Sequence, residues 1–320
     1  MPLEWEMKLL VVDDDPTFTE LMVAELSLLG LNNVDFVHSG EAALDRIAAS
    51  NTPYDCYLLD VEMPGMDGVE LCEKITTDPS TNGAPVIMVS ASSSLDHVDG
   101  AFAKGATDYL NKPLQRRELQ GRMRMVQSLA TQKHKLTIAN DNKPDASDLV
   151  NLSEIPNCID YLAMQNYVLK LGSLRINSFI AFGIHILNLP EVFAGKDRSG
   201  QLDALLDVAE TISESLDGAE YLMSYAGQGD YVVLLPRVRG FDGEPFENQL
   251  ETKLSELAGW YKEAGEVAPV VQFGEPVYRN LFSLRAPDDL LDVAISSARS
   301  TRYSNNESAA SRPTSQNRSF

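Results

Sequence analysis

A chain of 320 residues is long for one hydrophobic core and predicts two domains. Its 44% apolar content is that of a globular protein, while 47 acids against 26 bases give a net charge of −21, which excludes the basic surface needed for non-specific binding to nucleic acid or anionic membrane. No window approaches the ~18 apolar residues of a membrane span, MPLEWEMK lacks a secretory apolar region, and Cys56, Cys72 and Cys158 show no metal-ligand spacing, so a cytoplasmic protein with buried thiols is expected.

Leu9 to Val12 reads as a strand buried on both faces and ends on Asp13-Asp14-Asp15-Pro16. Asp15 suits an N-cap and Pro16 a first helical turn. Phe18, Leu21, Met22, Leu26 and Leu29 then keep helical spacing up to Gly30. Val34 to Val37 reads as a second strand and Glu41 to Ala49 as a second helix. The run Cys56-Tyr57-Leu58-Leu59 is a third strand that stops on Asp60, and a Met-Pro-Gly turn leads to a helix from Asp67 to about Thr77. Pro85 to Val89 is a fourth strand, ending on Ser90-Ala91-Ser92. A weak helical pattern over Leu95 to Lys104 precedes Asp108-Tyr109-Leu110, a fifth strand that ends on Asn111-Lys112-Pro113. Strands alternating with helices predict a doubly wound five-stranded parallel sheet.

In such a sheet the carboxyl ends of the strands share one crevice, which brings Asp13, Asp14, Asp60, Ser90 and Lys112 together. Carboxylates so close repel by about 4 kcal/mol per pair at ~4 Å and an effective dielectric of ~20. They call for a cation, and all-oxygen ligands suit Mg²⁺.

The segments VVDDDP, LLDVEMPGMDG, VIMVSA and YLNKP, within Lys8 to Ser128, closely resemble the receiver domain of two-component response regulators. The resemblance implies a flavodoxin-like fold over residues 1–128 and makes Asp60 the acceptor of phosphate from a sensor histidine kinase or a phosphotransfer protein. It makes Asp13, Asp14 and Asp60, with the backbone carbonyl of Glu62, the Mg²⁺ ligands. Lys112 and Ser90 become the groups that meet the phosphate, and Ser90 and Tyr109 the switch pair, with Tyr109 turning inward when Ser90 is drawn to the phosphate. The same resemblance implies a cis bond at Lys112-Pro113 and a signalling face on the fourth helix, fifth strand and fifth helix.

A helical linker is expected over 129–149. Leu119, Met123, Val126 and Ala130 alternate steps of four and three, a heptad-like seam that suits a homodimer stalk. Its basic residues read as a solvated helix face rather than a DNA patch. Asn140 to Asp145 is turn-rich and marks the domain boundary.

The second domain, 150–303, reads as helix, strand (Ser178 to Leu189), helix, a hairpin around Ala226-Gly227-Gln228-Gly229-Asp230, helix, strand and helix, the β-α-β-β-α-β order of a ferredoxin-like α+β fold. AGQGDYVVLLP resembles the signature hairpin of the GGDEF family of diguanylate cyclases, LSEIPN its entry and DDLLDVAISSARS its closing helix. The five signature positions read Gly227, Gln228, Gly229, Asp230 and Tyr231, so Gly229 stands where that family has a metal-binding acid. His185 stands at the other metal-binding position, Phe193 aligns with the guanine-reading asparagine, and Gly218-Ala219-Glu220-Tyr221 replaces the inhibitory site. A glycine cannot offset the charge of metal and triphosphate, so the domain is expected to be a degenerate, catalytically inactive GGDEF-like module. Residues 304–320 have the composition of a disordered tail.

The leading reading is a response regulator whose output is protein–protein interaction with an unknown partner. A phosphorylation-regulated diguanylate cyclase and a GTP or cyclic di-GMP sensor without turnover are the alternatives. No helix-turn-helix pattern follows the first domain, which argues against a DNA-binding regulator.

Overall fold

The computed structural model describes residues 6–91, 95–138, 152, 154–237, 244–278, 287 and 289–300. The expected tail at 304–320 and the connector at 139–149 lie outside the described residues. No helix among the described residues is long and apolar enough to cross a membrane.

The first domain runs β1 (Leu9–Val12), α1 (Pro16–Leu28), β2 (Val34–Val37), α2 (Gly40–Ala48), β3 (Cys56–Asp60), α3 (Gly68–Thr77), β4 (Val86–Ser90), α4 (Leu95–Ala103), β5 (Asp108–Asn111) and α5 (Arg116–Ile138). Its strands pair in parallel in the order β2-β1-β3-β4-β5, the flavodoxin-like sheet that the alternation of elements predicts. Helices cover both faces, so β1, β3 and β4 are buried along their whole length. The first three strand-to-helix turns are each closed by a polar side chain. Asp15 accepts from the Thr17 amide, Ser39 from Ala42 and Asp67 from Glu70.

The seam on α5 has a different role from the one its spacing suggests. Leu119, Met123, Val126 and Ala130 are buried against Leu9, Val11, Met22 and Leu26 in the domain's own core. An apolar stripe at steps of three and four serves a helix packed on its own sheet as well as a helix packed on a second copy, and here the stripe is consumed within the chain.

The second domain contains α6 (Tyr161–Arg175), β6 (Phe179–Ile186), α7 (Leu189–Phe193), α8 (Arg198–Ser215), β7 (Leu222–Gly227), β8 (Asp230–Pro236), α9 (Glu244–Ala264), β9 (Val271–Phe273), β10 (Val277–Tyr278) and α10 (Asp289–Ser300). Its sheet is antiparallel: β7 pairs with β8, β8 with β6, and β9 and β10 pair with successive parts of β6. The strand expected to run to Leu189 stops at Ile186, because Pro190 in the first turn starts a short helix. Helices α8 and α9 cover one face of the sheet, and α6 and α10 cover the other.

Helix α6 also lies on the first domain. Its Ala163, Met164, Tyr167 and Val168 share one apolar cluster with Val98, Ala101 and Phe102 of α4. Tyr167 donates its hydroxyl to Asp99 Oδ1 at 2.9 Å, Arg175 pairs with the other oxygen of Asp99 at 2.5 Å, and Asn166 donates to the Thr107 carbonyl at 2.9 Å.

Gly68 opens α3 against the end of β3, where an added Cβ would lie 1.9 Å from the Asp60 carbonyl oxygen. Gly68→Ala is therefore expected to destabilise the first domain by about 1–3 kcal/mol, the usual cost of overpacking, read as a lower denaturant midpoint. Gly100→Ala, whose Cβ meets nothing within 4 Å on α4, is expected to leave the midpoint unchanged or raise it.

Candidate functional site

The parallel register delivers the strand ends to one edge. Asp13 leaves β1 and is buried, Asp60 closes β3 and is buried, and Asp14 is exposed. Among the described residues, these are the one group of three acids that could hold a metal ion, with a carboxylate oxygen from each lying within 4.8 Å of the others. Lys112, just beyond β5, donates to Asp13 Oδ2 at 2.7 Å and lies 3.0 Å from Asp60 Oδ1. Its ammonium stands 4.0 Å from the centre of the Phe18 ring, a cation–π contact. The peptide bond from Lys112 to Pro113 is cis, and the Lys112 amide donates to the Ser90 carbonyl at 2.7 Å.

Burial pushes the Asp60 carboxyl up to about 6; the hydrogen bond from Lys112 opposes the rise and the charge of Asp13 adds to it. The Lys112 ammonium is held above its ordinary range by hydrogen bonds to Asp13 and Asp60, against the effect of its own burial. Three carboxylates facing one ammonium leave two negative charges uncompensated.

Ser90 ends β4 fully buried, and its side chain is hydrogen-bonded to that of Tyr109, which is also fully buried. Tyr109 thus faces the interior in this structure. Ala91 is exposed beside the site. Phe18, read from the sequence as a helix residue alone, and His38, not read at all, both lie at the site. Phe18 is legible as the residue two after the Pro16 that starts α1, and His38, whose Nδ1 lies 3.0 Å from the Asp13 carbonyl, follows directly on β2.

Residues 9–124 match the response regulator receiver domain family. The first domain is a receiver domain. The response regulator MprA of Mycobacterium avium is 39% identical over 120 residues, 38% of this chain and 50% of that protein. The signal transduction histidine-protein kinase BarA of Escherichia coli is 34% identical over 113 residues, 35% of this chain and 12% of that protein. The chain thus spans about half the length of the MprA relatives it matches. Among solved structures, a response regulator from Chloroflexus aurantiacus aligns with 34% identity and a TM-score of 0.36 over 38% of this chain and 98% of its own. The receiver domain of a Pseudomonas aeruginosa sensor histidine kinase, which has a magnesium ion in its cleft, aligns with 28% identity and a TM-score of 0.35 over 40% of this chain and 99% of its own.

The second domain brings together a different set. Gln228 and Gly229 form the tip of the β7–β8 hairpin at φ 55° and 82°, a turn that needs positive φ at both central residues. A Cβ on Gly229 would lie 3.3 Å from both Ile186 Cβ and Ile186 O. A side chain at this position is therefore both strained and crowded. Asp230 is 1% exposed and points to His185, whose Nδ1 lies 2.8 Å from Asp230 Oδ1. Arg299 of α10 donates Nε to both oxygens at 3.1 and 3.0 Å and makes a further short contact through its terminal nitrogen. Tyr231 is a core residue whose hydroxyl donates to the Leu205 carbonyl at 2.8 Å. Phe193, aligned by sequence with a guanine-reading position, is instead buried on α7 among Val192, Leu205 and Val208.

Removing one partner of a buried ion pair costs about 3–5 kcal/mol, and partial exposure screens that cost. The Arg299 side chain is 47% exposed. Arg299→Met is accordingly expected to destabilise the second domain by about 1–3 kcal/mol in chemical denaturation. Adding Asp230→Asn should recover part of that loss, because the orphaned charge is then removed.

Proposed function

We propose that this chain is a response regulator in which Asp60 accepts a phosphoryl group from a sensor histidine kinase or phosphotransfer protein in the cytoplasm. The observation that carries the proposal is the charge balance at the strand ends: Asp60 sits buried beside Asp13 and Asp14, and among the described residues Lys112 is the cation paired with these acids. Two uncompensated negative charges and a wholly oxygen donor set fit one Mg²⁺. Asp13, Asp14 and Asp60, with the Glu62 carbonyl, would hold that ion, whose chemistry is to neutralise phosphoryl oxygens. Similarity to MprA, a response regulator, agrees with this reading.

In the transfer, an Asp60 carboxylate oxygen forms the new P–O bond as the P–N bond to the donor imidazole breaks and its electron pair returns to the ring. The protein's part is mostly positioning and charge. Lys112, released from the negative charge it shares with Asp13 and Asp60, supplies an ammonium to the developing equatorial oxygens. Ser90 supplies a hydroxyl. Small-molecule phosphodonors with Mg²⁺ are expected to label the wild type, while Asp60→Asn takes no label. Lys112→Met is expected to be labelled with greatly reduced yield. Equal labelling of the Asp60→Asn variant overturns the assignment.

For the second domain we propose a ferredoxin-like, degenerate GGDEF-type module that is not a cyclase and signals by binding another protein. The strand order, with the last strand of the β-α-β-β-α-β series beside the first and the first beside the third, supports the fold. The pairing of Asp230 with Arg299 and His185 supports the loss of catalysis, because the acid nearest the signature turn already has its counter-charge. The expected result of incubating phosphorylated protein with GTP and Mg²⁺ or Mn²⁺ is no cyclic di-GMP. Sustained product formation favours the cyclase reading.

A further inference from the structure

Strand β5 is the edge of the receiver sheet, and its outer carbonyls need partners that no further strand among the described residues supplies. Thr107 and Tyr109 are alternate residues, so their carbonyls recur at roughly 6.6 Å along the strand. Helix α6 of the second domain answers with Asn166 and Lys170, one helical turn or about 6 Å apart. Asn166 Nδ2 donates to the Thr107 carbonyl at 2.9 Å, and Lys170 Nζ donates to the Tyr109 carbonyl at 3.3 Å.

Lys170 does more than close an edge. Its Nζ is also 3.3 Å from Asn111 Oδ1 and 5.1 Å from the centre of the Tyr109 ring. One ammonium from the second domain therefore touches the backbone and ring of the residue bonded to Ser90, and the residue that immediately precedes Lys112. Burial lowers the pKa of this ammonium, with Glu118 and Asp108 resisting the change. A cation withdrawn from water is retained where its contacts compensate the lost hydration. Docking of α6 does not depend on Lys170 alone, since Tyr167 and Arg175 hold Asp99 and the apolar face of α6 packs on α4.

We infer that Lys170 is a positioning residue for phosphorylation of Asp60, acting through Tyr109 and Asn111: it holds Tyr109 in its inward, Ser90-bonded place and steadies the end of β5 that aims Lys112 at Asp60. This rests on the reading of Asp60 as phospho-acceptor. By linkage, whatever occupies Asp60 strengthens the grip of Lys170 on β5 by the same factor that Lys170 strengthens occupancy.

The test is calorimetric titration of the full chain with beryllofluoride and Mg²⁺, a stable mimic of the aspartyl phosphate, with amide exchange of α6 followed in parallel. Lys170→Met is expected to weaken binding about fivefold or more, to keep the unfolding midpoint of wild type, and to lose the slowing of α6 exchange that the probe produces in wild type. Lys170→Arg, which keeps a donor and a charge, is expected to restore most of the affinity. Equal affinity in wild type and Lys170→Met overturns the inference while leaving the acceptor reading intact. An equal loss in Asn166→Ala, with faster α6 exchange in both variants before the probe is added, reassigns the effect to docking as a whole and also overturns it. Failure of the wild type to bind the probe overturns the acceptor reading, and this inference falls with it.

Discussion

The ammonium of Lys112, shared between Asp13 and Asp60, is the interaction on which the receiver site depends. Strands β3 and β4 lie between β5 and β1, and neighbouring strands are about 4.8 Å apart. The pairing must therefore cross a substantial part of the sheet, which a lysine with its four-carbon stem can do. Along the way β4 ends on Ser90, a small residue. The Phe18 ring supports the stem's charged end from the α1 side. Asp60 is thus buried far enough to hold its proton more tightly than an ordinary aspartate, yet faces a fixed cation that keeps one carboxylate oxygen engaged. A carboxylate of this kind is controlled by the balance of charge around it.

The second domain resolves a comparable problem in the opposite way. Asp230 is as deeply buried as Asp13, but its charge is met wholly within the chain, by the Arg299 guanidinium and the His185 ring. The arginine binds both carboxylate oxygens, a geometry that leaves little room for another cation. In the receiver the acids outnumber their partners. In the hairpin the count is balanced. This difference, more than the identity of any one residue, separates a site suited to transferring charge from one suited to holding a helix against a sheet.

The strand-end residues of the receiver were legible in the sequence because each follows directly on a short apolar run, and a parallel sheet sends all such ends to one side. The cap at Asp15 was legible for a similarly local reason, whereas Asp67, expected as the first residue of its helix, is the residue that caps it. Long-range pairings left no such mark. Arg299 and Asp230 are 69 positions apart, and Tyr167 and Asp99 are 68 apart, with no local pattern announcing either contact. The α5 seam shows a subtler limit, since steps of three and four report that one face is buried without saying what buries it. Phe193 shows another. The apolar run reads as one strand up to Leu189, whereas Pro190 in the first turn starts a helix at Leu189 that carries Phe193 into the core.

An exposed sheet edge is a hazard as well as an opportunity, because its unpaired carbonyls and amides invite another strand. Covering β5 with α6 removes that hazard, and it does so with side chains that report on more than the edge. Asn166 meets the Thr107 carbonyl, ahead of β5. Lys170, one turn later, meets the strand where Tyr109 and Asn111 connect it to Ser90 and Lys112. A helix that merely capped the strand could use neutral donors at both positions. The charged donor stands at the position nearer the site, and partial burial makes its contacts more sensitive to local geometry than a solvated lysine's would be. The receiver and the second domain are in this sense joined through the same strand that leads to Lys112, so a change at Asp60 and a change in α6 draw on one set of contacts.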